Sequence, residues 1–254
     1  DVYKRQVFLL GDFNDWSLHG AHQMQRDEDY FWITLEALEK GKEYQFQYLI
    51  NGEILVADPY TEKIISRFDD AQIRNENRYP NLDPYPIDDT NFEVSVLQPF
   101  KPIYEWKETS FQKPKKEDLV IYELLVRDFT DQRTFQSVID KLDYLECLGI
   151  NVLELMPIME FEGNLSWGYN PAFMMAVDKY YGTDHELKKL IDACHQRGIA
   201  VVLDIVLNHH FGRSSLVRLY NTGDYGPPNS DNPWLNRTAT VSYTHLTLPT
   251  MFEV

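Results

Sequence analysis

The stretch Val201-Val-Leu-Asp-Ile-Val-Leu-Asn-His-His210 is where residue types capable of chemistry are densest. An apolar run, Ile199 to Leu203, meets the carboxylate Asp204. Three more apolar residues, Ile205 to Leu207, follow, and polarity then flips to Asn208, His209 and His210. A near-continuous Val/Ile/Leu run is the signature of a buried parallel strand. In parallel α/β folds the chemistry sits where strands end and loops begin. Asp204 is therefore expected within a strand, with Asn208 and His209 at its C-terminal mouth. A second candidate segment is Ser166-Trp-Gly-Tyr-Asn-Pro171, where Tyr169 and Asn170 lie between a glycine and a proline.

The elements that must carry these residues are legible around them. Leu119–Val126 reads as a strand, and Phe135, Val138, Leu142, Leu145 and Leu148 then recur at helical spacing until Gly149. Asn151–Met156 is a second strand, closed by Pro157. Thr183-Asp-His-Glu186 is a capping box before an apolar stripe of Leu187, Leu190, Ile191 and Cys194. Gly198 ends that helix, and Ala200–Ile205 is the third strand. Alternating strands and helices imply parallel βαβ units with right-handed crossovers.

The front of the chain has a different rhythm. Val7–Leu10, Phe31–Leu35, Tyr44–Ile50 and Glu53–Ala57 are short strands, and Asn51-Gly52 is a strong hairpin signal. This spacing predicts a β-sandwich. Residues 64–118, rich in proline, lack a sustained period; we read them as a connector packed along both neighbours, with a short strand near Phe92–Leu97.

The totals narrow the function classes. A net charge of -16 argues against nucleic acid or an anionic membrane surface as partner. No apolar run is long enough to span a bilayer. The two cysteines, Cys147 and Cys194, fall on expected helices and are read as buried thiols rather than a disulfide framework.

Both ends carry an unusual pattern. Asp1–Gln6 can be encoded as GAT GTG TAT AAG AGA CAG, whose reverse complement, in another frame, encodes Val-Ser-Tyr-Thr-His. That string stands at Val241–His245, so the ends read as inverted copies of one DNA sequence, similar to a sequencing-library adapter. Residues 1–6 and 241–254 are accordingly expected to be artificial, and the natural part to be an internal fragment.

The motifs in order resemble the α-amylase family of glycoside hydrolases (family 13). Ile121–Thr130 is similar to that family's first barrel strand, and Gly149–Pro157 to its second. Ser166–Pro171 resembles the loop that follows, Asp178–Thr183 the approach to the second helix, and Asp204–His209 the third strand. Gly11-Asp-Phe-Asn-Asp-Trp16 resembles the early-set module of carbohydrate-binding family 48. The resemblance implies an α/β fold: about three β/α units of a (β/α)8 TIM barrel over 119–210, after a truncated immunoglobulin-like β-sandwich over 7–63. Residues 211–240 then begin the insertion after the third strand.

The same resemblance implies retaining chemistry on α-glucosidic bonds of an α-glucan, which needs a nucleophile and a general acid/base. In this family those come from the fourth and fifth strands, so neither is expected in this chain, which is expected to be inactive. It further implies that Tyr169 stacks under the sugar at the cleavage point and His209 hydrogen-bonds its primary hydroxyl. Asp204 would pair with an arginine outside the chain, leaving it a buried charge without a partner. Asn170 would support the site, and Asn208 would be a calcium ligand, as in many members. His210 and Glu154 are read as structural. Trp16, Tyr30 and Trp32 are candidates for a glucan-stacking surface on the module. Pullulanase, isoamylase, branching-enzyme and trehalohydrolase types all fit. The alternative is a non-catalytic glucan-binding or scaffold protein built on the early-set module.

Overall fold

A computed structural model describes residues 6–235 together with the short strand Phe252–Glu253. The expected artificial ends therefore lie outside the described residues, except for Gln6 and that strand.

The N-terminal part is strand-rich and antiparallel. It contains β1 (Val7–Gly11), β2 (Gln25–Asp27), β3 (Tyr30–Trp32), β4 (Tyr44–Ile50), β5 (Ile54–Val56), β6 (Ile64–Ile65) and β7 (Val94–Leu97). The main sheet has the order β1-β4-β7-β6, and β5 also pairs with β4; β2 and β3 form a separate hairpin. Asn51 (φ 53°) and Gly52 (φ 74°) lie in the left-handed region within the three-residue β4–β5 turn that Ile50 and Ile54 close, a region that Gly, and to a lesser degree Asn, adopts readily. The stretch read as a connector adds β6 and β7 to this sheet, more than a single short strand near Phe92–Leu97. Ile64, Ile65 and Val94 are essentially fully buried, so burial fixes strands that periodicity could not reveal in a two-residue element.

The C-terminal part is α/β. Strands β8 (Ile121–Leu124), β9 (Val152–Leu155) and β12 (Ala200–Leu203) pair in parallel in the order β8-β9-β12. Between them lie the short helices α2 (Val126–Phe129), α3 (Phe135–Ile139) and α4 (Leu142–Cys147), the hairpin β10 (Met159–Phe161) and β11 (Pro171–Val177), and α5 (Asp184–His195). A short helix α1 (Asp70–Asn75) precedes them within the connector, and α6 (Ser215–Arg218) follows β12. Strand β13 (Phe252–Glu253) pairs antiparallel with the far edge of β12.

The stripe Phe135, Val138, Leu142 and Leu145 is fully buried, but on two helices rather than one. Lys141, at φ -109° and ψ 5°, leaves the helical range between them. The expected capping box is present: Thr183 Oγ1 accepts from the Glu186 amide at 3.1 Å, and Glu186 Oε2 accepts from the Thr183 amide at 2.8 Å. Cys194 is buried as expected, whereas Cys147 is exposed. Cys147 lies two residues beyond Leu145, so it falls off the buried stripe.

The two parts share one core. Ile65, Ile73, Val94 and Val96 pack in the same apolar cluster as Leu124, Leu153, Leu155 and Tyr181. A second cluster joins Ala57 and Ile64 to Ala172, Phe173 and Ala176 of β11. At about 25 cal/mol per Å² of apolar area removed from water, such a shared core holds the antiparallel sheet against the elements that carry the candidate site.

Candidate sugar-binding site

Strand parity sets the floor of the site. The parallel register aligns Glu123 with Glu154, and Glu154 with Val202. Side chains alternate across a sheet, so Leu124, Leu155, Val201 and Leu203 face the helices while Glu123, Glu154 and Val202 share the opposite face. Asp204, two residues beyond Val202, continues that face. Three carboxylates therefore stand on neighbouring strands near their C-terminal ends. Burial, and then the charges of Glu123 and Asp204, raise the Glu154 carboxyl above its usual range.

The loop between β10 and β11 brings Tyr169 over this face. Its hydroxyl donates to Asp204 Oδ2 at 2.5 Å. Burial, followed by that hydrogen bond, pushes the Tyr169 phenol above the ordinary tyrosine range, so it stays protonated and able to donate. Asp204 is therefore not the unpartnered buried charge expected from the sequence. It is half-buried, and the Tyr169 phenol supplies it with a hydrogen-bond donor.

The loop is held by specific contacts. Gly168 has φ 87°, and a Cβ there would lie 2.4 Å from the Pro157 carbonyl oxygen. Only glycine fits this close passage at positive φ. The Gly168 amide donates to Ser166 Oγ at 3.0 Å, and Ser166 Oγ also bonds to Asn170 Oδ1. Asn170 Nδ2 donates to the Glu162 carbonyl at 2.6 Å. Asn170 thus ties the far side of the loop to the residue that follows β10. Tyr169 is 39% exposed and Trp167 is 61% exposed, so the Tyr169 ring offers an open face beside the carboxylates.

The segment after β12 meets that loop. His209 Nε2 lies 2.7 Å from the Tyr169 carbonyl oxygen, and its Nδ1 lies 3.1 Å from Asn208 Oδ1. The carbonyl can only accept, so a hydrogen bond to it is donated by Nε2–H. His210 points elsewhere, to Ser214 Oγ at 3.3 Å; burial and then His209 lower its pKa.

One anchoring residue was not singled out from the sequence. The Arg213 amide donates to Glu162 Oε1 at 2.8 Å, and its guanidinium bonds Asp69 Oδ2 at 2.5 Å and lies 4.3 Å from the Phe68 ring. Arg213 therefore ties the segment bearing His209 to the loop bearing Tyr169 and to the connector. Its only sequence signal was its place just beyond the His209 motif.

The Asn208 amide faces the His209 ring, and among the described residues no group of three or more His, Cys, Asp or Glu could hold a metal ion. On the module, Trp16 is drawn toward the core and its Nε1 donates to Asp12 at 3.2 Å. Only Tyr30 and Trp32, of the three aromatics considered there, stand exposed on the β2–β3 hairpin.

Residues 109–240 match the α-amylase catalytic domain, and residues 5–61 match carbohydrate-binding module 48, the isoamylase N-terminal domain. The chain belongs to the α-amylase family. Among its relatives, a malto-oligosyltrehalose trehalohydrolase from Saccharolobus solfataricus is 34% identical over 85% of this chain and 33% of its own length. A 1,4-alpha-glucan branching enzyme from Aliivibrio fischeri is 27% identical over 93% of this chain and 32% of its own. A solved pullulanase from Group B Streptococcus, in complex with maltotetraose, shares the fold with a TM-score of 0.62 at 23% identity; the match covers 89% of this chain and 34% of that one. The chain thus spans about a third of the length of these relatives. Both matched regions are ones that the sequence motifs had marked.

Proposed function

We propose that this α-amylase-family chain is the front part of a retaining glycoside hydrolase and holds one glucosyl unit of an α-glucan against Tyr169 and His209. The carrying observation is the convergence of Tyr169, Asp204 and His209 at the C-terminal ends of adjacent parallel strands. In this reading β8, β9 and β12 are the first three strands of a (β/α)8 barrel, and the antiparallel sheet is an immunoglobulin-like module. The open face of Tyr169 meets the sugar's C–H bonds. Its hydroxyl keeps Asp204 hydrogen-bonded, so the ring is fixed before substrate arrives. His209 donates from Nε2; a sugar hydroxyl bound there replaces the Tyr169 carbonyl as acceptor.

The face below carries Glu123, Glu154 and Asp204. We assign none of them as nucleophile or general acid/base. Glu123 and Glu154 lie within strands, and Asp204 is engaged by Tyr169. The reaction then requires carboxylates from elsewhere, and the chain alone is inactive. Similarity to trehalohydrolases makes malto-oligosyltrehalose the first substrate to test, ahead of branched glucans.

The test is calorimetric titration of the chain with malto-oligosyltrehalose, alongside a reducing-sugar assay. We expect binding that Tyr169→Ala weakens about tenfold or more, as loss of a stacked ring implies, and no sugar release. Hydrolysis by pure chain would refute the assignment of the three carboxylates. Binding untouched by Tyr169→Ala and His209→Ala would favour a non-catalytic glucan-binding protein.

A further inference from the structure

The two segments that carry the candidate site are also joined through groups other than Tyr169 and His209. Arg213, on the segment that follows His209, bonds Asp69 Oδ2 at 2.5 Å. The same Asp69 oxygen accepts from the Gly163 amide at 3.3 Å, and the Asp69 carbonyl accepts from Asn164 Nδ2 at 3.0 Å. Gly163 and Asn164 lie in the β10–β11 loop that carries Tyr169. The Arg213–Asp69 pair therefore closes a seam between the His209 segment and the Tyr169 loop.

Glu93 stands in this seam. It immediately precedes β7, is 4% exposed, and its backbone carbonyl accepts from Gln47 Nε2 of β4 at 2.7 Å. Its Oε1 accepts from Ser66 Oγ at 3.2 Å and lies 3.8 Å from Arg213 Nη1. Its Oε2 is buried with no hydrogen-bond partner. Glu162 Oε2 lies 3.8 Å from Arg213 Nε. One guanidinium thus faces three carboxylates, Asp69, Glu93 and Glu162. Arg218 of α6, Tyr225 beyond it and Tyr85 of the connector also feel the Glu93 charge. Arg218 does not pair with it: its guanidinium donates to the Leu55 and Asp224 carbonyls and lies over the Phe92 ring.

A buried carboxyl with one oxygen lacking a donor is costly as an anion and far less so as the neutral acid. Burial is the largest influence on Glu93 and raises its pKa to about 7, although Arg213 and the Ser66 hydroxyl pull the other way. Protonated Glu93 leaves the guanidinium to Asp69 and Glu162. Ionised Glu93 competes with both for it, and its Oε2 gains water only if the seam opens. Arg213 is the group that gives way, because it alone is shared by all three carboxylates.

We infer that Glu93 is a positioning residue for the Tyr169–His209 site: its proton keeps the seam at Arg213 closed, and loss of the proton loosens the His209 segment from the Tyr169 loop. The consequence for sugar rests on the reading above, but the seam itself can be measured without sugar. The closed seam holds the Glu93 proton up to about pH 7, whereas an opened, hydrated seam holds it only to the ordinary value near 4.5. Opening therefore becomes easier as pH rises and levels off above about 7. Between about pH 6 and about pH 8 the opening equilibrium should grow about tenfold.

The experiment is hydrogen exchange of the Arg213 and Gly163 amides, followed by NMR in the full chain without sugar, which reports local opening. After correction for intrinsic exchange, their protection should fall about tenfold from about pH 6 to about pH 8 in the parent. It should stay level in Glu93→Gln, which is neutral at both pH values. Glu160, His209 and His210 are the same in both proteins, so the difference between the two isolates Glu93. Isotope-edited spectra of the Glu93 carboxyl follow its titration in the parent with no variant needed. In calorimetric titration with malto-oligosyltrehalose, the parent should bind more weakly at the higher pH, and Glu93→Gln should lose less affinity over the same interval. An equal fall in protection in parent and Glu93→Gln, or a Glu93 carboxyl that titrates near its ordinary value, would overturn the inference. Protection that behaves as expected in a chain that binds no sugar would uphold the seam and refute the Tyr169 reading instead.

Discussion

Replacing Lys179 with methionine tests how the connector is locked to the elements that carry the site. Lys179 is 1% exposed and lies between Asp70 of α1, at 3.4 Å, and Glu160 of β10. Asp178 beside it is also buried and accepts from the Tyr180 amide at 2.9 Å. One cation therefore serves three buried carboxylates. Burial is the largest influence on each of the three and raises them all, Glu160 to about 7. Removing one partner of a buried ion pair costs about 3–5 kcal/mol, because the other charge is left uncompensated. At about 2–4 °C per kcal/mol for a chain of this size, the melting temperature should fall by about 6–20 °C.

The pH dependence has a definite sign. Glu160 has a folded pKa above its unfolded value, so the folded form holds the proton more tightly. Its contribution is fully present below the unfolded value, near 4.5, and is lost as pH rises through about 7. Without Lys179 the carboxylates favour protonation further, so the deficit of Lys179→Met should be smaller at about pH 5 than at about pH 8. Thermal unfolding by circular dichroism at both pH values is the assay. An equal deficit at both, or a loss below about 1 kcal/mol, would refute the buried-charge argument.

Other outcomes follow from single contacts. Gly168→Ala should cost about 1–3 kcal/mol, because it adds a Cβ against the Pro157 carbonyl at positive φ; it should also weaken sugar binding, and melting and titration together check this. Phe135→Ala removes a fully buried ring that meets Tyr181 edge-on at 5.9 Å, and should cost about 3–5 kcal/mol by denaturant unfolding. Tyr169→Phe leaves Asp204 without its hydroxyl donor but keeps the ring, so binding should fall less than in Tyr169→Ala by the same titration.

What could be read from the sequence divides along physical lines. The parallel strands carried dense apolar runs, and Thr183–Glu186 carried a local cap whose partners lie three residues apart. Both signals are local, and both elements are present. The hairpin of β10 and β11 escaped notice because Phe161 and Pro171 are brought opposite one another by an intervening loop with shifted register. Strand β6 is two residues long, too short for any period. The Tyr169–Asp204 hydrogen bond spans thirty-five residues, and Arg213 reaches Asp69 across a still longer separation. Such pairings depend on tertiary packing, which spacing along the chain does not encode. The sequence motifs indicated that Tyr169 and His209 belong together; the geometry adds that each holds the other's segment in place.

The most direct test of the central claim is the NMR spectrum of the His209 imidazole during titration with malto-oligosyltrehalose. The account places a sugar hydroxyl at Nε2, where the Tyr169 carbonyl now lies 2.7 Å away. The His209 ring resonances should therefore shift in step with saturation, and Tyr169→Ala should abolish the shift. Saturable binding that leaves His209 unmoved while perturbing only the antiparallel module would contradict it.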